Sequence, residues 1–147
     1  MKFIPESKIM HRMIVKGKIK SLIMFKKAIL SNKNNKLFID FNKIIPIKTL
    51  SAERLKAWGT NKNAMDTTIE KNTDRLLELT FVTGYKPEKI FKKLSELFTD
   101  LNISIKFFEQ YWNFAGLILI KKGDIEISNI MPTRYFYKQV YNKEHIA

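Results

Sequence analysis

The sequence has no cysteine in 147 residues, and it has few glycines and no long hydrophobic run. Without cysteine, disulfide bonds, thiolate nucleophiles and sulfur-ligated zinc or iron–sulfur sites are excluded. Five isolated glycines cannot build a glycine-rich phosphate loop. The longest apolar run, residues 114–120, is far shorter than the roughly 18 residues of a membrane-spanning helix, and the N-terminus lacks a signal-peptide core. We expect a cytoplasmic protein that binds no cofactor and no metal.

Acidic residues and arginine are also scarce. The formal net charge is +13, and only four of the 27 basic residues are arginine. Residues 1–50 hold twelve Lys or Arg against two acids, whereas residues 51–147 hold fifteen against twelve. A localised positive field attracts polyanions and speeds their encounter. The composition therefore indicates a nucleic-acid or acidic nucleoprotein partner; the alternative is that the lysine-rich chain only reflects an AT-rich genome and solubility.

Hydrophobic residues make up 45% of the chain and aromatic residues 12%, which is enough for one real core. Alternating apolar residues predict six strands, at 11–16, 37–45, 76–83, 103–110, 113–121 and 124–130. Apolar residues at helical spacing predict three helices, at 18–30, 51–58 and 87–100. Polar composition predicts a turn at 31–35 and a loop at 60–73. The tail, residues 132–147, fits either a helix or a strand.

The predicted order is β-α-β, a connecting segment, and then β-α-β-β-β. Two amphipathic helices each lie between strands, and hairpin-linked strands follow. This order is typical of an α+β, ferredoxin-like split β-α-β fold with a mainly antiparallel sheet and two helices on one face. With no linker or low-complexity block, residues 1–147 are predicted to form a single domain.

Three short clusters carry a family resemblance: Ala57 to Ala64 with Trp58-Gly59-Thr60, Phe81 to Pro87, and Phe107 to Gly116 with Glu109 and Asn113-Phe114. In order and spacing they resemble the signatures of the YubB ferredoxin-like domain family over roughly residues 11–123. The resemblance implies a ferredoxin-like fold and an origin on a plasmid or phage in a bacterial host, but no established activity. Lys8 to His11 and Tyr111 depart from the family's pattern, where a Trp-Cys-x-Asn element and a glycine are usual.

Lysines of the first helix and its flanks are the main candidates for contacting a polyanionic partner. They are Lys16, Lys18, Lys20, Lys26, Lys27, Lys33 and Lys36. A second candidate is the tail segment around Arg134, Tyr137 and Lys138, because interleaved aromatic and basic residues suit single-stranded nucleic acid. The same segment equally suits an amphipathic edge strand packed on the sheet, which we favour.

Trp58, Gly59, Thr60 and Glu109 are predicted to be structural. Glu109 shares strand parity with apolar residues, so its carboxylate should point into the core and needs partners there. We expect it to tie the loop of residues 58–60 to the sheet. Trp58 could stack on a base or a partner, but a tryptophan beside a helix-ending glycine more often plugs the rim of the core.

No catalytic residue is predicted. Asp124 and Glu126 lie on one face of a strand, an arrangement that some metal-dependent nucleases use. Directly after a tight turn, such a pair is more often solvated. His11 and His145 have no nearby nucleophile and no metal-ligand spacing.

The sequence therefore favours a non-enzymatic binding protein of phage or plasmid type. Its basic surface would bind nucleic acid or a nucleic-acid-handling complex, and an inhibitor of a host nuclease or of an RNA-guided (CRISPR-type) defence is one form of this hypothesis. A basic inhibitor has to meet an acidic protein patch or the guide nucleic acid, since a basic channel repels it. The alternatives are a divergent metal-dependent nuclease, and a scaffolding protein whose charge is genome bias.

Overall fold

The computed structural model describes residues 7–47 and 51–142, which form eight strands and five helices. The strands are β1 (Ile9–Lys16), β2 (Leu30–Lys33), β3 (Lys36–Ile39), β4 (Met65–Asn72), β5 (Leu76–Thr83), β6 (Asn102–Glu109), β7 (Ala115–Lys121) and β8 (Asp124–Ile130). The helices are α1 (Ile19–Ile29), α2 (Phe41–Ile44), α3 (Ser51–Trp58), α4 (Glu88–Leu97) and α5 (Arg134–Tyr141). None of the helices in the described part of the chain is long and apolar enough to cross a membrane.

Six strands form one sheet in the order β4-β5-β1-β6-β7-β8, and every neighbouring pair is antiparallel. Strand β1 lies between β5 and β6, which are therefore parallel to each other and are connected through α4. Strand β4 is likewise parallel to β1, with β5 between them. Strands β2 and β3 form a separate two-stranded hairpin that follows α1.

The main core lies on one face of this sheet. Alternate residues of β1, including Met13 and Val15, are fully buried there, because successive side chains of a strand point to opposite faces. Helix α1 contributes Phe25 to the same cluster, and α4 contributes Phe91 and Leu94. Each such side chain contributes about 2 kcal/mol on burial, so α1 and α4 are held to this face mainly by their apolar stripes.

Helix α5 packs on the opposite face, so the edge strand favoured for residues 134–141 is wrong. The Thr133 hydroxyl caps the helix by accepting a hydrogen bond from the Phe136 N–H, and Asn142 ends it in a left-handed conformation. Phe136 and Val140, four residues apart, are buried together with Phe108. In a strand Lys138 would share the face of these two side chains, whereas in the helix it is exposed.

Two predictions between residues 31 and 45 are also wrong. The predicted turn at 31–35 is mostly strand β2, and only Asn34 and Asn35 form the turn, with φ values of 53° and 61°. Two left-handed residues are what a two-residue type I′ hairpin turn requires. The predicted strand at 37–45 ends at Ile39, because the Asp40 carboxylate accepts a hydrogen bond from the Asn42 N–H and starts helix α2.

The predicted loop at 60–73 is also wrong, since β4 occupies most of it. Strand β4 is an edge strand, and Thr67 is its only buried residue. A strand with one neighbour and little buried surface does not need alternating apolar residues, so its sequence resembles a loop. Register shifts relative to β5 interrupt its pairing further.

The α+β class and the mainly antiparallel sheet are confirmed. The described residues contain more strands than predicted, and the helices occupy both faces of the sheet, with α1 and α4 on one and α5 on the other. The outer neighbour of β5 is β4, which lies in the segment predicted to be a loop.

Gly59 fixes the junction between α3 and the start of α4. Its φ is +87°, and a Cβ at this position would lie 2.8 Å from the carbonyl oxygen of Lys86. Gly123, in the β7–β8 turn, has a similar φ of +82°, but a Cβ there would meet nothing closer than 3.4 Å. Left-handed strain is therefore common to both glycines, whereas backbone crowding is specific to Gly59.

We expect Gly59→Ala to lower the free energy of unfolding by about 2 to 4 kcal/mol, and Gly123→Ala by only about 1 to 2 kcal/mol. Urea unfolding of the two variants measures the difference. Equal losses would show that the α3–α4 junction does not depend on the close approach of the two backbones.

Candidate functional site

The lysines predicted to contact a partner are mostly exposed, but they do not form one patch. Lys18 and Lys20 lie at the start of α1, and Lys27 lies at its end. Lys16 follows the parity of Arg12 on β1 and therefore faces the other side of the sheet. Lys26 is half-buried and donates a hydrogen bond to the Thr73 carbonyl oxygen at 2.8 Å.

Lys33 and Lys36 are brought together by the β2–β3 hairpin. They form a directly opposed cross-strand pair on either side of the Asn34-Asn35 turn, and both are exposed. The next pair along the same face is Ser31 opposite Phe38, whose ring is half-buried. The hairpin therefore presents two ammonium groups and one aromatic ring on a single face.

A groove of about 480 Å³ runs between this hairpin and the segment that enters β4. The hairpin side includes Lys33, Lys36 and Phe38, and the facing side includes Ala64 and Asp66. The Ile39 N–H lies 3.3 Å from the Thr67 hydroxyl oxygen, which fastens the two walls at the inner end. The groove lies within the size range of small-ligand sites.

Few acids lie near the cations of this region. Asp66 faces Lys33 and Lys36 across the groove, and the Asp100 carboxylate accepts a hydrogen bond from the Ser21 hydroxyl of α1. Asp40 is the only acid within the described residues 7–47, and its carboxylate accepts hydrogen bonds from the Ser31 hydroxyl, the Asn42 N–H and the Asn63 side-chain amide. Lys43 donates to two carbonyl oxygens at the end of α1, at 2.6 Å each. Ion pairs between described residues involve none of the lysines at positions 16, 18, 20, 27, 33 and 36.

Arg134, Tyr137 and Lys138 belong to α5 and are separated by the sheet from α1 and its lysines. Arg134 and Lys138 are exposed, one helical turn apart. The Tyr137 ring stacks on Trp112, with ring centroids 5.6 Å apart, and on Tyr141, at 4.1 Å. The structure therefore does not join this group to the hairpin groove, and the Tyr137 ring is packed among other aromatic rings.

Trp58 lies in the core, as its structural interpretation predicted. The side chain is 2% exposed, its Nε1–H donates to the Ile45 carbonyl oxygen at 2.8 Å, and its ring meets Phe41 edge to face. A buried indole with its N–H satisfied is a packing residue. Thr60, two residues after Trp58, is also buried, and Gly59 between them adopts a left-handed conformation.

Glu109 is fully buried, as strand parity predicted, but its hydrogen-bond partners differ from those expected. Its Oε1 accepts hydrogen bonds from the Tyr111 N–H at 3.0 Å and the Asn113 N–H at 2.9 Å. The carboxylate therefore shapes the β6–β7 turn. Within the described residues, its Oε2 accepts no hydrogen bond, so this oxygen does not bind the backbone N–H groups of residues 58–60 as expected.

The three clusters that carry the family resemblance nevertheless meet at one end of the sheet. Gly59 abuts the backbone of Lys86 and Glu88. The Lys86 ammonium lies 4.6 Å from the ring centroid of Phe114 and 5.5 Å from that of Phe107. Residues far apart in the sequence therefore form one structural junction.

Asp124 and Glu126 are exposed on the edge strand β8, where they pair across the ladder with Lys121 and Leu119. No group of three or more potential ligand side chains that could hold a metal ion occurs within the described ranges. Within the part of the chain that the structure describes, the pair therefore lies on an open strand without a third side chain that could complete a metal site.

His11 is buried in the main core and is neutral. Its Nε2 lies 2.9 Å from the Thr83 hydroxyl, which itself donates its single proton to the Tyr85 carbonyl oxygen at 2.7 Å. The hydroxyl must therefore accept from His11, so the proton of the imidazole resides on Nε2. Burial lowers the pKa of His11 from 6.5 to about 3, and the ring stacks on Phe81.

The sequence analysis did not identify the buried Arg12 or the groove residue Phe38. Arg12 is 5% exposed and donates to Glu78 at 2.6 Å and to the Val140 carbonyl oxygen at 2.7 Å. Nothing in the sequence marks the face of β1 that α5 covers. Phe38 could have been found, because recognising Asn34-Asn35 as a type I′ turn fixes the register that puts it on the face of Lys33 and Lys36.

No protein-family model matches the chain, and neither does any curated protein. Among solved structures, the crystal structure of the protein api92 from Yersinia pseudotuberculosis, with the family designation DUF1281, has a similar fold. The alignment has a TM-score of 0.52 and 16% sequence identity, and it covers 62% of this chain and 39% of that chain. At this identity the likeness shows the fold alone, and this chain spans less than half of its neighbour's length.

The lowered pKa of His11 predicts a pH-dependent stability. Between the folded pKa of about 3 and the unfolded value of 6.5, the unfolded chain binds one more proton, so stability is complete above pH 6.5 and falls as the pH decreases. From about pH 7 to about pH 5, we expect His11 to account for about 2 kcal/mol of the lost stability.

The measurement is urea unfolding of the original chain and of His11→Phe, which keeps an aromatic ring but cannot titrate. The carboxylates titrate alike in both chains, so their contribution cancels in the comparison. The variant should lose less stability than the original chain over this range. The same loss in both chains would contradict a buried, neutral His11.

Proposed function

We propose that this protein is a non-enzymatic binding protein whose basic N-terminal third engages nucleic acid, or a complex that handles nucleic acid. The observation that carries the proposal is that its exposed lysines are not held in ion pairs with acids of the described residues. The only acid of the described residues 7–47 is occupied by Ser31, Asn42 and Asn63, and six lysines form no ion pair with described residues. An uncompensated cationic surface attracts phosphates over the range of the Debye length.

The proposal includes a ferredoxin-like core and kinship with the YubB ferredoxin-like domain family. The strand order β4-β5-β1-β6 supports the ferredoxin-like core. In it, β5 lies between the parallel strands β4 and β1, and β1 lies between the parallel strands β5 and β6. Helices α1 and α4 lie in the connections between the members of the two parallel pairs. The junction of Gly59, Lys86 and Phe114 supports the kinship, since the family-like clusters contact one another. Strands β7 and β8 and helix α5 would be additions to this core.

A protein component of the partner is favoured by the outer surface of α1. Ile23 is 46% exposed and Met24 59% exposed, and Lys20 and Lys27 flank them on the same helix. A phosphate backbone has no apolar surface to cover such residues, whereas a protein does. This supports the more specific proposal of a phage or plasmid protein that blocks a host nuclease or an RNA-guided defence complex in the bacterial cytoplasm, by contacting an acidic protein patch beside the guide nucleic acid.

The nucleic-acid form of the proposal is tested by a salt titration of binding to short labelled RNA and DNA. Log K falls as log salt rises. For each phosphate-contacting lysine that is replaced by glutamine, we expect the magnitude of this slope to decrease by about 0.7 to 0.9. Lys20→Gln/Lys27→Gln should therefore lower the slope. The matched control, Lys92→Gln/Lys121→Gln, removes the same charge from other exposed positions and should lower it less.

Equal effects of the two double variants would contradict a specific basic surface and would indicate that net charge alone governs binding. No binding of either nucleic acid at low salt would rule out direct recognition of nucleic acid. Circular dichroism checks that each variant keeps its fold.

The protein-partner form predicts a different response to Met24→Lys. The added charge should leave nucleic-acid binding unchanged or slightly stronger, but it should break an apolar contact with a protein. We expect capture of a nuclease complex from a bacterial extract to survive digestion of the nucleic acid and to be lost with Met24→Lys. Capture that disappears on digestion and is insensitive to the variant would contradict a protein contact at α1.

A further inference from the structure

The face of the β2–β3 hairpin that carries Lys33 and Lys36 is electrostatically unfavourable in isolation. The two lysines lie directly opposite each other, and like charges at such positions destabilise an antiparallel pair. Neither forms an ion pair with a described residue. The rigid Asn34-Asn35 turn fixes the register, so the hairpin cannot slip to separate them. An anion between the two ammonium groups would relieve this repulsion.

An aromatic side chain, Phe38, lies next to the lysine pair on the same face of the hairpin. Phe38 is two residues beyond Lys36 on the same face, which places the two side-chain origins about 6.6 Å apart along the strand. Phe38 is half-buried and lines the same groove as both lysines. Its side chain therefore borders a groove of about 480 Å³ that both lysines also line.

The opposite wall of the groove carries Asp66, an exposed carboxylate in a left-handed backbone conformation. A carboxylate repels a ligand made only of phosphates. It accepts hydrogen bonds from the amino and imino groups of nucleobases. The groove thus offers cations for a phosphate, a ring for stacking and an acceptor for a base edge.

We propose that this groove binds single-stranded nucleic acid, with an unpaired base stacked on Phe38 and the adjacent phosphate between Lys33 and Lys36. A base inside a duplex has both of its faces covered by neighbouring bases and cannot stack on the ring, so a double strand does not fit. The inference rests on the proposed function and adds to it the strand form of the ligand and the residues that contact it.

The probes are labelled single strands of about eight nucleotides, in RNA and in DNA, compared with a strand of the same length without bases and with a short duplex. Phe38→Leu keeps an apolar side chain for packing but removes the ring. We expect it to weaken binding of the single strands about 5- to 100-fold, and to leave binding of the baseless strand unchanged. Tyr111→Leu, which removes an aromatic ring that is 65% exposed, is the matched control and should leave all affinities unchanged.

Two more variants test the contacts separately. Lys33→Gln/Lys36→Gln should weaken binding of both single strands and the baseless strand. Because the two lysines share one phosphate, the magnitude of the salt slope should fall by about 0.7. Phe38→Trp should retain binding, and its added fluorescence should be quenched by strands with bases but not by the baseless strand.

The inference is overturned if Phe38→Leu binds single strands as tightly as the original chain, or if the duplex binds as tightly as the single strands. Strong, salt-dependent binding with that outcome would leave the proposed function intact and place the contacts elsewhere on the basic surface. If neither form of nucleic acid binds at low salt, direct recognition of nucleic acid and this inference both fail.

Discussion

Strand β1 is buried on both faces of the sheet, and it places one ionisable side chain on each face. The adjacent residues His11 and Arg12 are buried there in opposite charge states. His11 points into the apolar core, where burial lowers its pKa to about 3 and keeps the ring neutral. Arg12 points to the other face and cannot lose its charge. It is buried only because Glu78, Glu70 and the Val140 carbonyl oxygen compensate it. The position of α5 therefore depends on a cation that lies in the middle of the sheet.

This division explains why the N-terminal third keeps its charge. Glu70 of β4 and Glu78 of β5 pair with Arg12, and the Asp40 carboxylate caps the start of α2. Lys43 is used in ending α1. The exposed lysines at positions 16, 18, 20, 27, 33 and 36 form no ion pair with described residues, so the positive field follows from how the fold distributes its few carboxylates. Residues that hold the fold, such as Trp58 and Glu109, belong to other parts of the molecule.

Much of the fold could be predicted from the sequence where one face of an element is buried against a continuous core. Helices α1 and α4 and strands β5 to β7 were predicted from their apolar spacing for this reason. Strand β4 could not be, because an edge strand with one buried threonine has no apolar period. The conformation of α5 was ambiguous, because apolar and polar residues at positions 134–141 satisfy both periods until the surface beneath them is known.

The charged residues of the candidate site could be predicted from the sequence, but their arrangement in space could not. Counting charges identifies Lys33 and Lys36. Their cross-strand pairing, however, depends on a turn of two asparagines that adopt positive φ. The same reasoning should have excluded one patch for all seven lysines, since a strand residue such as Lys16 and a helix residue such as Lys20 follow different periodicities. Long-range placement comes from register and packing, which single-residue patterns do not contain.

The chemistry of the groove also sets what kind of recognition the proposed function allows. A lysine ammonium is a point charge with freely rotating donors, so it attracts a phosphate without defining its orientation or the base attached to it. Stacking on a phenylalanine tolerates every base, because every base has a π-face. Of the groove's polar side chains, the exposed Asp66 and Asn34 could discriminate between base edges. A site built from these parts distinguishes an unpaired strand from a duplex far better than it distinguishes one sequence from another, which suits a protein that occludes nucleic acid rather than one that reads it.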